Sequence, residues 1–185
     1  MKKVYLIHCW GANSSGVNWY NWIKKELQKK KIKLIAFDMP ETDNPTIEVW
    51  VKYLEKMIPF EKLDEETYFI GHSVGCQAIM RYLEKLPKQK KIKGCVFVAG
   101  WFNLINLNSE EIKIAHPWIN SHIDFERVIR HTKNILAIFS DDDQWVHPDE
   151  IKKFRNNLGA KIITKKKMGH FDNVDKIPEI LKFIK

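Results

Sequence analysis

Short apolar runs alternate with amphipathic stretches along the whole of this 185-residue chain. Lys3 to Cys9 is a continuous apolar run too short for a helix, and it reads as a buried strand. Trp19 to Lys30 places Trp19, Trp22, Ile23 and Leu27 at helical spacing with polar residues between. Lys33 to Asp38 reads as a second strand, ended by Pro40. Thr46 to Ile58 predicts a helix with Thr46 as its cap. A third strand is expected at Thr67 to Ile70, and a helix at Val74 to Leu86 that Pro87 stops. Ile92 to Ala99 is rich in β-formers and predicts a fourth strand.

The stretch from Gly100 to Asn120 is less regular and reads as a loop with short helical pieces, long enough to form a partial lid. Beyond it the alternation resumes. A helix is expected at Phe125 to His131, a strand at Ile135 to Ser140, and a helix at Pro148 to Leu158 with Gly159 as its C-cap. A sixth strand is expected at Lys161 to Thr164, and a last helix at Asn173 to Ile184 capped by Asp172. Strands separated by helices need crossover connections. The expected fold is therefore α/β: one domain over residues 1–185, with a six-stranded, mostly parallel sheet and helices on both faces.

Composition narrows the function classes. An apolar content of 44% with seven Trp and ten Phe fits a packed core and not a disordered chain. No stretch approaches the roughly 20 apolar residues that span a bilayer. Met1-Lys2-Lys3 before an apolar run resembles a leader, but His8 interrupts the run early and a strand suits it better. A soluble, cytoplasmic protein is the expectation. Cys9, Cys76 and Cys95 lie far apart without metal-ligand spacing and read as reduced, buried thiols. The net charge of +8 comes from short lysine runs (29–31, 88–93 and 165–167) placed where elements should meet solvent. With no arginine-rich helix or aromatic-interleaved motif, these read as solvated surface; a polyanion-binding protein is the weaker alternative.

The chemistry centres on Thr67-Tyr68-Phe69-Ile70-Gly71-His72-Ser73-Val74-Gly75-Cys76. A Gly-x-Ser-x-Gly turn directly after an apolar strand and directly before a helix has the context of a nucleophile elbow. The sharp turn lifts the Ser73 hydroxyl clear of the backbone. The helix N-terminus supplies free N–H groups, among them that of Val74 as an oxyanion donor. Serine needs a base, which at neutral pH suits histidine. Of seven histidines, His170 follows the sixth strand and shares the carboxyl edge of the sheet with Ser73. His72 adjoins Ser73, but neighbouring strand residues point to opposite sides. His8 is expected to pack or hydrogen-bond beneath the site.

The base needs a carboxylate, and Asp141, Asp142 and Asp143 end the fifth strand. At least one should reach His170, with the other two capping the next turn in solvent. Spacing alone does not choose among the three. The order Ser, Asp, His is that of the α/β-hydrolase fold. The loop after the first strand offers the Trp10 N–H as a second oxyanion donor. Asn13, Trp101, Phe102 and Trp145 are candidate pocket walls.

With these residues in place the chain resembles the small serine hydrolases related to retinoblastoma-binding protein nine, in the α/β-hydrolase superfamily. The resemblance rests on Trp19-Tyr20-Asn21-Trp22, Asp38-Met39-Pro40, Gly71-His72-Ser73-Val74-Gly75, Met80-Arg81-Tyr82, His116-Pro117-Trp118 and Gly169-His170-Phe171. It implies a compact fold with strand order 2-1-3-4-5-6. It also implies a catalytic aspartate in an Asp-x-x-hydrophobic-x-Pro loop, which only Asp143-Gln144-Trp145-Val146-His147-Pro148 matches, so Asp143 is the acid of choice. Cys9 and Gln144 depart from the family's usual Gly and Pro. The expected function is hydrolysis of a small or medium hydrophobic ester through Ser73, His170 and Asp143, without metal or cofactor. The same residues suit a thioesterase, lactonase or amidase of aminopeptidase type. A catalytically silent scaffold is the rival class.

Overall fold

The apolar runs become six strands, joined by parallel pairings into one sheet of order β2-β1-β3-β4-β5-β6. The computed structural model describes residues 2–184. In chain order the elements are β1 (Lys3–Ile7), α1 (Asn18–Lys29), β2 (Lys33–Phe37), α2 (Ile47–Met57), β3 (Thr67–His72), α3 (Val74–Glu84), β4 (Gly94–Val98), α4 (Ser109–Asn120), α5 (Phe125–His131), β5 (Ile135–Ser140), α6 (Asp149–Leu158), β6 (Lys161–Lys165) and α7 (Pro178–Phe183). The central strands β3 and β4 are buried throughout, which explains their unbroken apolar runs. Helices α1 and α7 pack on each other, while α2, α3, α5 and α6 form a second contiguous row.

The register brings the carboxyl ends of the strands to one edge. Ile7 pairs with Gly71, His72 with Val98, Val98 with Ile138, and Ser140 with Lys165. The residues that follow these ends are His8 to Trp10, Ser73, Gly100 to Trp101, Asp141 to Asp143 and Lys166 to His170. Parallel topology alone thus gathers the candidate chemistry into one crevice.

Two segments depart from the sequence expectation. The stretch read as irregular contains the twelve-residue helix α4. Its start is a capping box: the Asn108 side chain accepts from the N–H groups of Glu110 and Glu111, and the Glu111 carboxylate accepts from the N–H of Asn108. Pro117 inside the helix had masked the signal. Arg81 of α3 secures its far end by donating to the carbonyls of Trp118, Ser121 and His122.

The last helix begins at Pro178 instead of Asn173, so Asp172 is not its cap. Proline suits the first helical turn, where its missing N–H is no loss. Residues 172–177 instead form turns that hold α1: Val174 accepts from the Trp19 N–H and Asp175 from the Asn18 side chain.

Candidate active site

Ser73 sits between β3 and α3 with φ 53° and ψ −121°. For a residue with a Cβ this left-handed backbone costs about 1–3 kcal/mol. The turn is held by the Ser73 N–H donating to Val98 O and the Cys76 N–H donating to Ser73 O, both at 2.9 Å. The flanking glycines permit close approach. A Cβ on Gly71 would lie 2.8 Å from the backbone of Cys76, and one on Gly75 would meet the carbonyls of Ile7 and His8. Strand and helix therefore pass too closely for any side chain at either position.

His170 lies in a loop whose shape is set by the three aspartates. Its Nδ1–H donates to Asp143 Oδ2 at 2.8 Å, and both side chains are buried. The other oxygen of Asp143 accepts from the N–H groups of Trp145 and Val146 at 3.0 and 3.1 Å. Asp143 therefore fixes the tautomer of His170 and leaves the Nε2 lone pair free to take a proton.

Contrary to the sequence expectation, Asp141 and Asp142 do not cap the next turn. They cross to the other loop, where Asp141 accepts from the Lys167 N–H and Asp142 from the Gly169 N–H, each at 2.8 Å. Lys167, Gly169 and Phe171 all have positive φ, and these cross-loop bonds help hold that shape.

Beneath His170 lies a second histidine with a different task. His72 is fully buried, and its Nε2–H donates to the His170 carbonyl at 2.7 Å. Its Nδ1 accepts from the Tyr20 hydroxyl, also at 2.7 Å. Burial, reinforced by the neighbouring His170, pushes the His72 pKa down to about 3. It is thus a neutral support for the loop that carries His170. His8 plays a similar part under β1, donating to the Cys9 carbonyl and accepting from the Met39 N–H.

Cys9, His72 and Asp172 place a thiol, an imidazole and a carboxylate within 4.8 Å of one another. Both His72 nitrogens are already committed, so the trio offers a metal no imidazole lone pair. Cys9 is also a poor rival nucleophile. Burial and the nearby Asp172 push its thiol up to about 12, so it carries its proton near neutrality.

These residues open onto a cleft of about 220 Å³ lined by Ser73, His170, Cys9, Trp10, Leu104, Leu107, Glu111, Trp145 and Asp172. Trp145 stands edge-to-face against His170, with ring centroids 5.1 Å apart. The other expected walls lie elsewhere. Asn13 accepts from the backbone and hydroxyl of Ser15 in a turn before α1. Phe102 stacks on Phe154 and packs against Phe125. Trp101 is buried behind Ser73 and donates its indole N–H to Ser73 Oγ at 3.1 Å.

Leu104, Leu107 and Glu111 come from the segment around the start of α4, which makes one wall of the cleft. Ile105 and Asn106 tie that wall to the carbonyls of Trp145 and Gln144. The backbone N–H groups of Val74 and Trp10 have no hydrogen-bond partner among the described residues. Nor does a hydrogen bond join Ser73 Oγ to the His170 ring among the described residues. Such bonds commonly tighten only when substrate binds.

A strained serine at a strand–helix elbow, with a carboxylate-oriented histidine on the same sheet edge, defines a hydrolase of the α/β class. The chain belongs to the serine hydrolase family, whose model matches residues 4–179. It is 29% identical to YdeN of Bacillus subtilis (strain 168), over 92% of this chain and 86% of that protein. It is 24% identical to the serine hydrolase RBBP9 of Rattus norvegicus, over 95% of this chain and 89% of that one. The crystal structure of the B. subtilis ydeN gene product superposes with a TM-score of 0.87 at 27% identity, covering 98% and 96% of the two chains. A carboxylesterase structure from the thaumarchaeon Nitrososphaera gargenis shares the fold, with a TM-score of 0.73 at 13% identity over 99% and 88% of the chains.

Proposed function

We propose that this serine hydrolase cleaves small or medium hydrophobic carboxylic esters through Ser73, His170 and Asp143. The observation that carries the reading is the 2.8 Å bond from His170 Nδ1–H to buried Asp143, which frees Nε2 in the cleft that also holds Ser73. In acylation, Ser73 Oγ bonds to the substrate carbonyl carbon as its proton passes to His170 Nε2. The N–H groups of Val74 and Trp10 receive the oxyanion, and losing one such donor lowers the rate about 10²–10³-fold. His170 then gives the proton to the departing alcohol. In deacylation, water attacks the acyl carbon, its proton moves to His170, and Ser73 Oγ leaves and takes that proton back.

The cleft supports the substrate size and polarity. Its volume of about 220 Å³ lies below the range typical of sites for drug-sized molecules. Trp10, Leu104, Leu107 and Trp145 offer apolar contact, while Asp172 and Glu111 add two carboxylates and, among the described residues, no lysine or arginine lines it. That balance favours neutral or cationic substrates over anionic ones. Three free, buried cysteines fit a reducing cytoplasm.

A panel of p-nitrophenyl esters of rising chain length, run beside thioesters, lactones and aminoacyl amides, tests the reading. Ester turnover should peak at short to medium chains and vanish in Ser73→Ala. Turnover of amides alone, or equal turnover by Ser73→Ala, rejects it.

A further inference from the structure

We propose that the indole N–H of Trp101 is a catalytic group that favours release of the acyl product by stabilising free Ser73 over its acylated form. The inference rests on Ser73 being the nucleophile. Trp101 Nε1 lies 3.1 Å from Ser73 Oγ, and Trp101 is only 1% exposed. Its position is fixed from both sides. Its carbonyl accepts from Gln77 Nε2 at 3.1 Å, and the next N–H, of Phe102, donates to buried Glu150 at 2.6 Å. Gln77 is in turn held by Arg81. Moving the indole away from Ser73 would disturb that arrangement, and its burial leaves little room for water to take its place.

A donor fixed on Oγ acts differently on the two half-reactions. The oxygen of free serine is a good acceptor with two lone pairs. In the acyl-enzyme the same atom bridges Cβ and a carbonyl carbon, and delocalisation into the carbonyl makes it a poor acceptor. The Trp101 bond is therefore strongest before acylation and after deacylation. Only interactions that change along the reaction alter its rate. In acylation, the Oγ–H bond breaks, its proton goes to His170 Nε2 and the Oγ–C bond forms, so the indole contact weakens and slows the step. In deacylation, water delivers its proton to His170, the C–Oγ bond breaks and Oγ recovers a proton, so the contact strengthens and speeds the step. A neutral hydrogen bond of ordinary strength corresponds to about a 3- to 10-fold effect.

Stopped-flow release of p-nitrophenol from p-nitrophenyl acetate, with single-turnover measurement of the acetyl-enzyme, separates the two rate constants. In Trp101→Phe the ratio of acylation to deacylation rate should rise about 3- to 10-fold, with a larger burst of p-nitrophenol. A β-(3-benzothienyl)alanine at position 101 keeps the bicyclic shape and lacks only the N–H, so it decides the matter if the phenylalanine variant folds poorly. An unchanged or lower ratio in that isosteric variant overturns the proposal. Ester hydrolysis without acetyl-Ser73 in either the wild type or the isosteric variant, where deacylation is slowed, overturns the nucleophile assignment itself. Acetylation at Ser73 with an unchanged ratio removes only the role of Trp101.

Discussion

Replacing Asp143 with asparagine changes little in shape and much in proton placement. In the wild type, Oδ1 accepts from the N–H groups of Trp145 and Val146, and Oδ2 accepts from His170 Nδ1–H. The asparagine oxygen can keep the two backbone bonds, which turns its NH₂ toward His170. Two donors then face each other unless the imidazole moves its proton to Nε2. That tautomer has no lone pair for Ser73, and the imidazolium formed on proton transfer has no carboxylate beside it. The expected loss in kcat is about 10⁴-fold, equivalent to ~5.4 kcal/mol of barrier. Asp141→Asn and Asp142→Asn are the internal controls. Asp141→Asn weakens the bond from the Lys167 N–H, and Asp142→Asn those from the Gly169 N–H and the Ser140 hydroxyl; each should lower stability slightly and leave kcat within about tenfold of wild type. Steady-state kinetics on one ester and chemical denaturation of all three variants read both quantities. Asp143→Asn retaining a tenth of the activity, or Asp142→Asn losing as much as it, would refute the reasoning.

Two further outcomes follow from the same geometry. His72 is buried neutral with its pKa held at about 3, so the unfolded chain binds a proton there more readily than the folded one. Stability is full above pH 6.5 and should fall as pH drops from 6.5 toward 3, by about 1.4 kcal/mol per pH unit from His72 alone; urea midpoints flat across that window would contradict this. Among the described residues the cleft carries Asp172 and Glu111 without a lysine or arginine, so a hemisuccinate ester should be cleaved about 3- to 10-fold less well than its neutral isostere. Asp172→Asn should narrow that gap in kcat/KM, and an unchanged gap would show that Asp172 does not set charge preference.

The fold was legible because its signals are local and repeated. Continuous apolar runs such as Thr67 to Ile70 and Ile135 to Ser140 marked strands, and helical spacing at Trp19, Ile23 and Leu27 marked α1. The elbow was legible because Gly71 and Gly75 answer a steric need that shows in sequence as glycine. Other features depended on contacts across the fold. Three consecutive aspartates are alike in sequence; their separate partners, Lys167, Gly169 and His170, lie 26 to 27 positions away. Trp101 read as a pocket wall because an aromatic after a strand end suits that role, while its bond to Ser73 spans 28 positions. The Asn108-x-x-Glu111 box is a helix-start signal for α4, but Pro117 within the helix and the mixed segment before it break the apolar periodicity. Asp172 read as a helix cap because it precedes a helical pattern. Pro178 starts the helix later and leaves Asp172 to the cleft.

The proposed mechanism stands or falls on Ser73 as the nucleophile. Incubation with a fluorophosphonate probe, followed by intact-mass analysis and peptide mapping, tests it most directly. One adduct per chain is expected, located on Ser73, with none on Ser73→Ala. An adduct on another residue, or equal labelling of Ser73→Ala, would contradict it.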